Sequence, residues 1–334
     1  MLLSVIVPMY NSLKYIDGMF ESICLRQKKD IEIIIIDDGS TDDSLKKCQE
    51  WALLYPEIKL IHNLNYGVSY SRNCGIEIAQ GDFLMFLDSD DCFNENWYKK
   101  LYSALIENPD CDMMIFSKNV CERTYCKKEI IEAIVGIPSE LSNCYLSAPW
   151  SKVFNRRFLN ENNIKFNVEI IHGEDALFNL KAIICSNNYK IINECIYLYR
   201  INQNSSTHKY NKKYLKSNRL YMEELSSILS NVQEASKEEV EEYKRYSFQN
   251  SIYIYVGKVS KIGVFKDKIN ATRQFYADAY YLQQLKELKM SNKLTIKKRV
   301  VYFMVKIKQF FLIEMLVNLI KCVRRDERDV WYKV

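Results

Sequence analysis

Gly81-Asp82-Phe83-Leu84-Met85-Phe86-Leu87-Asp88-Ser89-Asp90-Asp91 sets five apolar residues before a cluster of three carboxylates in four positions. A short run that is apolar at both side-chain parities suits a strand covered on both faces. The acidic cluster is then a turn at the edge of a sheet. Moving toward the N-terminus, the same pattern recurs. Leu3–Pro8 is an apolar run ending in proline, and Ile31–Ile36 is a β-branched run followed by Asp37-Asp38-Gly39-Ser40-Thr41-Asp42. Ile58–His62 reads as a third strand. Helical spacing fills the gaps, over Tyr15–Leu25, from a Ser40 or Thr41 cap to about Tyr55, and over Val68–Ala79. Toward the C-terminus, Asn96–Glu107 is helical and Met113–Phe116 is a further strand. Strands alternating with helices predict an α/β fold, a Rossmann-like and mostly parallel sheet with helices on both faces. Ligands of such sheets bind outside the carboxyl ends of the strands, where the polar clusters fall.

The rest of the 334 residues is less regular. Ala148–Phe158 and Glu174–Ile184 have helical spacing, and Tyr189–Tyr199 reads as one or two strands. From about Tyr210 to Lys289 the pattern is helical and rich in tyrosine. Composition excludes several classes: 48% hydrophobic and 27% charged residues describe a folded globular chain. The eleven cysteines include no Cys-x-x-Cys pair and there are three histidines, which argues against a zinc site or a disulfide scaffold. That usage suits a reducing compartment, most simply the cytosol. Met1–Pro8 lacks a basic leader region and reads as a strand rather than a signal peptide.

The net charge of +5 is unevenly spread. Residues 291–334 hold eleven Lys/Arg against four Asp/Glu, so the remainder carries −2. A nucleic-acid binder would carry its basic patch on the folded body, so no nucleic-acid partner is expected. Between Leu294 and Arg325 the basic residues alternate with Ile296, Val300, Phe303, Ile307 and Phe310. The longest stretch there without Lys or Arg is Gln309–Ile320, too short for a span of about 20 apolar residues. A basic amphipathic helix lying on a membrane surface is the expectation, with packing on the body or on a second subunit as the alternative.

The strand ends carry candidate chemistry. Asp88 and Asp90 face one crevice, and Mg²⁺ or Mn²⁺ takes oxygen from one or two carboxylates plus phosphate. Asp38 can accept from a base or ribose, Tyr10 can stack on a base, and Arg72 can pair with a base carbonyl or a phosphate. Each has an ordinary structural explanation alone: a solvated acidic loop, a capping turn, a surface aromatic.

Together, these segments resemble the family 2 glycosyltransferases of the GT-A fold. The matching stretches are Val5-Ile6-Val7-Pro8-Met9-Tyr10-Asn11, Ile36–Asp42, Gly67-Val68-Ser69-Tyr70-Ser71-Arg72-Asn73 and Gly81–Asp91. The likeness continues through Ala148–Phe154, His172-Gly173-Glu174-Asp175 and Tyr199-Arg200, and thins past about residue 210. It implies a GT-A catalytic domain over 1–210, a helical region over 211–290 on the acceptor side or in oligomerisation, and a membrane-associating tail over 291–334.

The resemblance implies transfer of one sugar from a UDP-sugar, with inversion, to a glycan or polyprenyl-linked glycan acceptor. Pro8, Tyr10, Asn11 and Asp38 would lie at the uridine, with Arg72 near the base. Asp88 and Ser89 would lie at the ribose and diphosphate, and Asp90 would bind Mn²⁺ or Mg²⁺. Asp175, paired with Glu174, would be the general base. Arg200 and Ser205 belong to a segment closing over the diphosphate, where His208 would add a weaker metal ligand. Trp150 and Lys152 would line the acceptor side, with a core role for Trp150 as the alternative.

An inverting transfer needs one base for the attacking hydroxyl. A carboxylate at a helix start, such as Asp175, keeps its charge. No Gln-x-x-Arg-Trp segment of processive synthases occurs. The expected setting is surface polysaccharide synthesis (capsule, exopolysaccharide or teichoic-acid decoration) at the cytoplasmic face of the membrane. A non-catalytic module that holds a nucleotide-sugar remains an alternative. A sugar nucleotidyltransferase is disfavoured, because no glycine-rich loop follows the first strand.

Overall fold

The computed structural model describes residues 2–23, 30–118, 120–121, 123–200, 210–308 and 331–333. The first two apolar runs form strands β1 (Leu3–Met9) and, after helix α1 (Ile16–Ile23), β2 (Ile31–Asp37), every residue of which is buried. Alternate side chains leave opposite sides of a strand, and the core divides accordingly. Val5, Val7, Ile33 and Ile35 belong to one cluster, and Ile6, Ile34 and Ile36 to the other.

Next come α2 (Ser44–Leu54), β3 (Ile58–His62), α3 (Val68–Ile78), β4 (Phe83–Phe86), β5 (Cys92–Phe93), α4 (Trp97–Glu107) and β6 (Met113–Phe116). After α5 (Lys127–Ile134) the chain forms β7 (Lys152–Asn155), α6 (Arg156–Glu161), α7 (Glu174–Cys185), β8 (Tyr189–Ile192) and β9 (Tyr197–Arg200). Helices α8 (Tyr214–Leu229), α9 (Lys237–Ser260), α10 (Phe265–Ala277), α11 (Ala279–Glu287) and α12 (Ile296–Lys306) complete the helical region. A last strand, β10 (Trp331–Lys333), pairs antiparallel with β9.

The main sheet has seven strands in the order β3-β2-β1-β4-β7-β6-β8. All neighbours are parallel except β7, which runs antiparallel to both β4 and β6. Residues of α1, α2 and α4 cover one face; residues of α3, α5, α7, α8 and α9 cover the other. The second core is continuous from Ile6 and Phe86 through Phe178 to Tyr243, Tyr255 and Val305. A small sheet, β10-β9-β5, lies beyond the acidic turn.

One element departs from its sequence pattern. Ala148–Phe158 has helical spacing, but Lys152–Asn155 is a strand. The gap between β4 and β6 needs a strand to satisfy both ladders, and Ser151, at φ +60°, turns the chain into it. Tertiary demand outweighs local periodicity there.

Close packing of α3 on β1 requires a glycine. A Cβ on Gly75 would meet Ile6 Cγ2 at 2.3 Å. That contact sets α3 over the sheet with its first turns beside the strand ends.

Candidate active site

Three consecutive sheet positions deliver the polar groups. β1 carries Pro8, which is in register with Ile36 of β2, and is followed by Tyr10, which is 47% exposed. Asn11 follows in the left-handed region at φ +49°. Its Oδ1 accepts from Thr41 N at 2.8 Å, and its own N–H donates to Ser40 Oγ at 2.9 Å. Asn11 therefore ties the loop after β1 to the loop after β2.

Asp38 is buried at the end of β2. Its two oxygens accept from the backbone N–H groups of Tyr66 and Gly67, each at 2.7 Å. Asp38 thereby holds the loop that leads into α3. Its neighbour Asp37 accepts from His62 Nδ1 at 2.6 Å.

The acidic turn after β4 separates into distinct roles. Asp88 Oδ1 accepts from Arg72 Nη2 at 3.0 Å. Ser89 Oγ lies 2.7 Å from Ser12 Oγ. Asp90 is half-buried. Asp91 is buried and accepts from Tyr197 Oη at 2.6 Å and from Arg200 N at 2.7 Å. Burial, reinforced by Asp88 and Asp90, pushes the Asp91 carboxyl up to about 8. Asp91 fastens the acidic turn to β9. The guanidinium of Arg200 lies over the Tyr15 ring, 4.7 Å from its centroid. Ser205 and His208 lie outside the described residues.

Arg72, one turn into α3, is buried between two carboxylates. Nη1 donates to Asp175 Oδ1 at 2.6 Å while Nη2 serves Asp88. Its carbon is 5.3 Å from the centroid of the Phe166 ring, which stacks on Phe178 at 4.0 Å. Burial works against its charge, but Asp175 and Asp88 raise its proton affinity above the ordinary value.

Glu174 and Asp175 open α7, where a carboxylate is favoured by the helix dipole. Gly173 precedes them at φ +96°, and a Cβ there would meet the Tyr221 ring at 2.7 Å. Only glycine reconciles that turn with the packing of α8. Burial raises both carboxyls, Glu174 to about 8 with Asp175 adding to the effect; Arg72 pulls Asp175 back down.

Trp150 is buried, stacked on Tyr197 at 4.9 Å and on Tyr199 at 5.4 Å. Lys152 is buried beneath it in sequence, on β7, and donates to the carbonyls of Ala148 and Tyr145. Among the described residues Lys152 forms no ion pair, and desolvation lowers its ammonium to about 7 against the pull of Asp175.

Among the described residues, no three His, Cys, Asp or Glu side chains converge as a self-sufficient metal site. A cation that shares diphosphate oxygens needs only one or two carboxylates. Asp90, with Asp88 beside it, fits that demand.

The profile of glycosyl transferase family 2 matches residues 4–187. The chain belongs to this family. The match spans the first seven strands, the acidic turn and the whole of α7.

An uncharacterized glycosyltransferase of Escherichia coli K12, YibD, is 30% identical over 240 residues, covering 66% of this chain and 68% of that protein. EpsJ of Bacillus subtilis 168, also an uncharacterized glycosyltransferase, is 30% identical over 217 residues, covering 62% of this chain and 63% of EpsJ. Glycosyltransferase GlyA of Streptococcus pneumoniae is 28% identical over 69% of this chain, and the aligned part is 35% of GlyA. This family member thus spans from about a third to two thirds of the curated relatives it matches.

The structure of Staphylococcus aureus TarS residues 1–349 in complex with UDP-GlcNAc superposes with a TM-score of 0.63, at 18% identity, over 100% of this chain and 99% of that one. That likeness shows a shared GT-A fold that includes the helical region.

Asp91 and Tyr197 were not singled out from sequence. Asp91 stands inside the acidic turn, but its partner lies 106 positions away, and nothing local marks the pairing. His172, beside Gly173, is held neutral by burial, its imidazole lowered to about 4; its adjacency to Glu174-Asp175 was the available sign.

Proposed function

We propose that the protein transfers a single sugar from a UDP-sugar to a hydroxyl of a glycan or lipid-linked glycan, inverting the anomeric centre, in the synthesis of a surface polysaccharide. The observation that carries this reading is the Asp88–Arg72–Asp175 bridge. It sets a carboxylate at the start of α7 within one guanidinium of the strand ends where the family holds its donor. The printed function of one relative supports sugar transfer, though to a different acceptor: TarS of S. aureus is a poly(ribitol-phosphate) β-N-acetylglucosaminyltransferase, 28% identical over 59% of this chain and 35% of TarS.

In this mechanism Tyr10 and Asp38 border the uridine, and Asp88 and Ser89 border the ribose and diphosphate. Asp175 accepts the proton of the attacking hydroxyl. Its raised proton affinity suits that task, since a base is most effective with a pKa nearer the working pH. The hydroxyl oxygen bonds the anomeric carbon as the bond to UDP breaks on the opposite face. Mn²⁺ or Mg²⁺ at Asp90, when bound, supplies positive charge to the departing diphosphate. Arg72 keeps Asp175 aimed, and Asp91 keeps β9 and Arg200 beside the diphosphate.

The same reading places the enzyme on the inner face of an anionic membrane. Ile296, Val300, Phe303 and Ile307 of the α12 segment are exposed, together with Lys297, Lys306 and Lys308, while Val301, Tyr302 and Val305 are buried. An exposed apolar set flanked by lysines favours an anionic bilayer surface. No helix among the described residues is long and apolar enough to cross a membrane.

The deciding experiment incubates purified protein with Mn²⁺ and each of several UDP-sugars and follows UDP release. Release from one donor, abolished in Asp90→Ala and by a chelator, supports the reading. Binding of a UDP-sugar with no release, whatever the acceptor offered, would favour a non-catalytic nucleotide-sugar module.

A further inference from the structure

A cavity of about 770 Å³ opens beside Asp175. Its lining includes Glu174 and Asp175 but neither Arg72 nor Asp88, so it meets the carboxylate pair from a side other than the bridge. Two distant parts of the chain wall it. One wall is Asn65–Ser69 at the start of α3, Ile134–Gly136 at the end of α5, and Val168 and Ile170–Ala176 leading into α7; the other is α8 and α9.

The second wall is uncharged for most of its extent. Asn250 offers an amide, Asn218 Nδ2 donates to Ser251 Oγ at 3.1 Å and to Tyr281 Oη at 2.8 Å, and Tyr214 and Tyr221 add rings. Neutral hydrogen-bonding groups set among aromatic rings match a sugar, with polar edges and C–H faces. At the mouth, Tyr66, Val68, Val168 and Ile171 line the cavity and remain 41–55% exposed, forming an apolar rim.

The charges in the lining are few. Lys258 lies within electrostatic reach of Glu174, and burial keeps His172 neutral. A phosphate needs converging cations, above all arginine forks, and among the described residues no arginine lines this space.

We infer that this cavity receives the acceptor, and that the acceptor unit it takes is an uncharged sugar rather than a phosphate-bearing polyol. The inference rests on the proposed function and names the substrate class of that same site. The acceptor hydroxyl gives its proton to Asp175, its oxygen bonds the anomeric carbon, and the electron pair of the broken bond leaves with UDP.

The test uses the full chain with whichever UDP-sugar it binds and compares methyl glycosides of glucose, galactose and N-acetylglucosamine with ribitol 5-phosphate and glycerol 3-phosphate. A neutral glycoside should accelerate UDP release, and the phosphates should not. Ile254→Trp, which narrows the cavity from α9, should cut that acceleration about tenfold or more while leaving UDP-sugar affinity by calorimetry unchanged. Asn250→Ala, a milder change that guards against misfolding, should raise the glycoside KM and leave kcat in place. Acceleration by the phosphates alone, by no glycoside, or equally in Ile254→Trp overturns the inference. A wild-type chain that binds no UDP-sugar fails a different claim, the donor assignment itself.

Discussion

Arg72 and Asp175 are 103 positions apart in sequence and meet at 2.6 Å, the guanidinium of one reaching the carboxylate that opens α7 in the other. Because the same guanidinium also holds Asp88, the geometry of the proposed base and that of the proposed donor side are set by one buried side chain.

Removing the base tests the chemistry directly. Asp175→Asn keeps the size of the side chain and loses the proton acceptor. Transfer should fall by about 10²–10⁴-fold, with UDP-sugar affinity by calorimetry close to wild type. Retention of wild-type kcat would assign the base elsewhere.

Arg72 should reveal itself in the pH profile. As the proposed base, Asp175 must be deprotonated to act, and Arg72 opposes the upward push of burial on its carboxyl. Arg72→Gln removes that opposition, so the acid limb of kcat/KM should move to higher pH. A limb that stays put while activity falls would leave Arg72 a purely structural role.

Lys152 carries a stability cost. Its folded pKa, about 7, lies below the ordinary lysine value of about 10.4. Between those values the unfolded chain binds the extra proton, so this residue makes stability rise with pH from about 7 to about 10 and lowers it below pH 7. Lys152→Met should stabilise by about 1–3 kcal/mol near pH 7 and flatten that slope. Chemical denaturation at pH 6.5 and 9 measures both.

Asp38 anchors the loop into α3 with two backbone hydrogen bonds. Asp38→Asn can keep one of them and turns a donor toward the other N–H. A cost of about 1–3 kcal/mol is expected, read in thermal unfolding and in weaker UDP binding. Unaltered UDP affinity would remove Asp38 from the nucleotide side.

Vesicle binding checks the α12 segment. Val300→Glu with Phe303→Glu changes exposed positions only, whereas deleting the helix would uncover α9, against which Val301, Tyr302 and Val305 are buried. The double variant should sediment less with vesicles rich in phosphatidylglycerol and keep its donor hydrolysis. Equal sedimentation would point to a different surface.

The fold was legible where burial is two-sided. Val5-Ile6-Val7 and Ile31–Ile36 are apolar at both parities because each face of the sheet is covered, and their shortness and β-branched residues separate them from a buried helix. Lys152–Asn155 was misread because a buried lysine and flanking aromatics mimic an amphipathic helix, and because the reason for the strand is the gap between β4 and β6. The site residues at strand ends were readable as motifs. Their pairings were not: the Arg72–Asp175, Asp91–Tyr197 and Gly173–Tyr221 contacts arise only once distant elements pack.

The division of the cavity into two walls has an evolutionary consequence. The family profile ends at residue 187, so it includes Asp88, Arg72 and Asp175 but neither α8 nor α9. The proposed acceptor cavity therefore straddles the profile boundary: its residues at the starts of α3 and α7 and the end of α5 lie inside the profile, and those of α8 and α9 lie outside it. If the cavity takes the acceptor, grafting α8–α9 from a relative onto this chain should shift its acceptor preference toward that relative's.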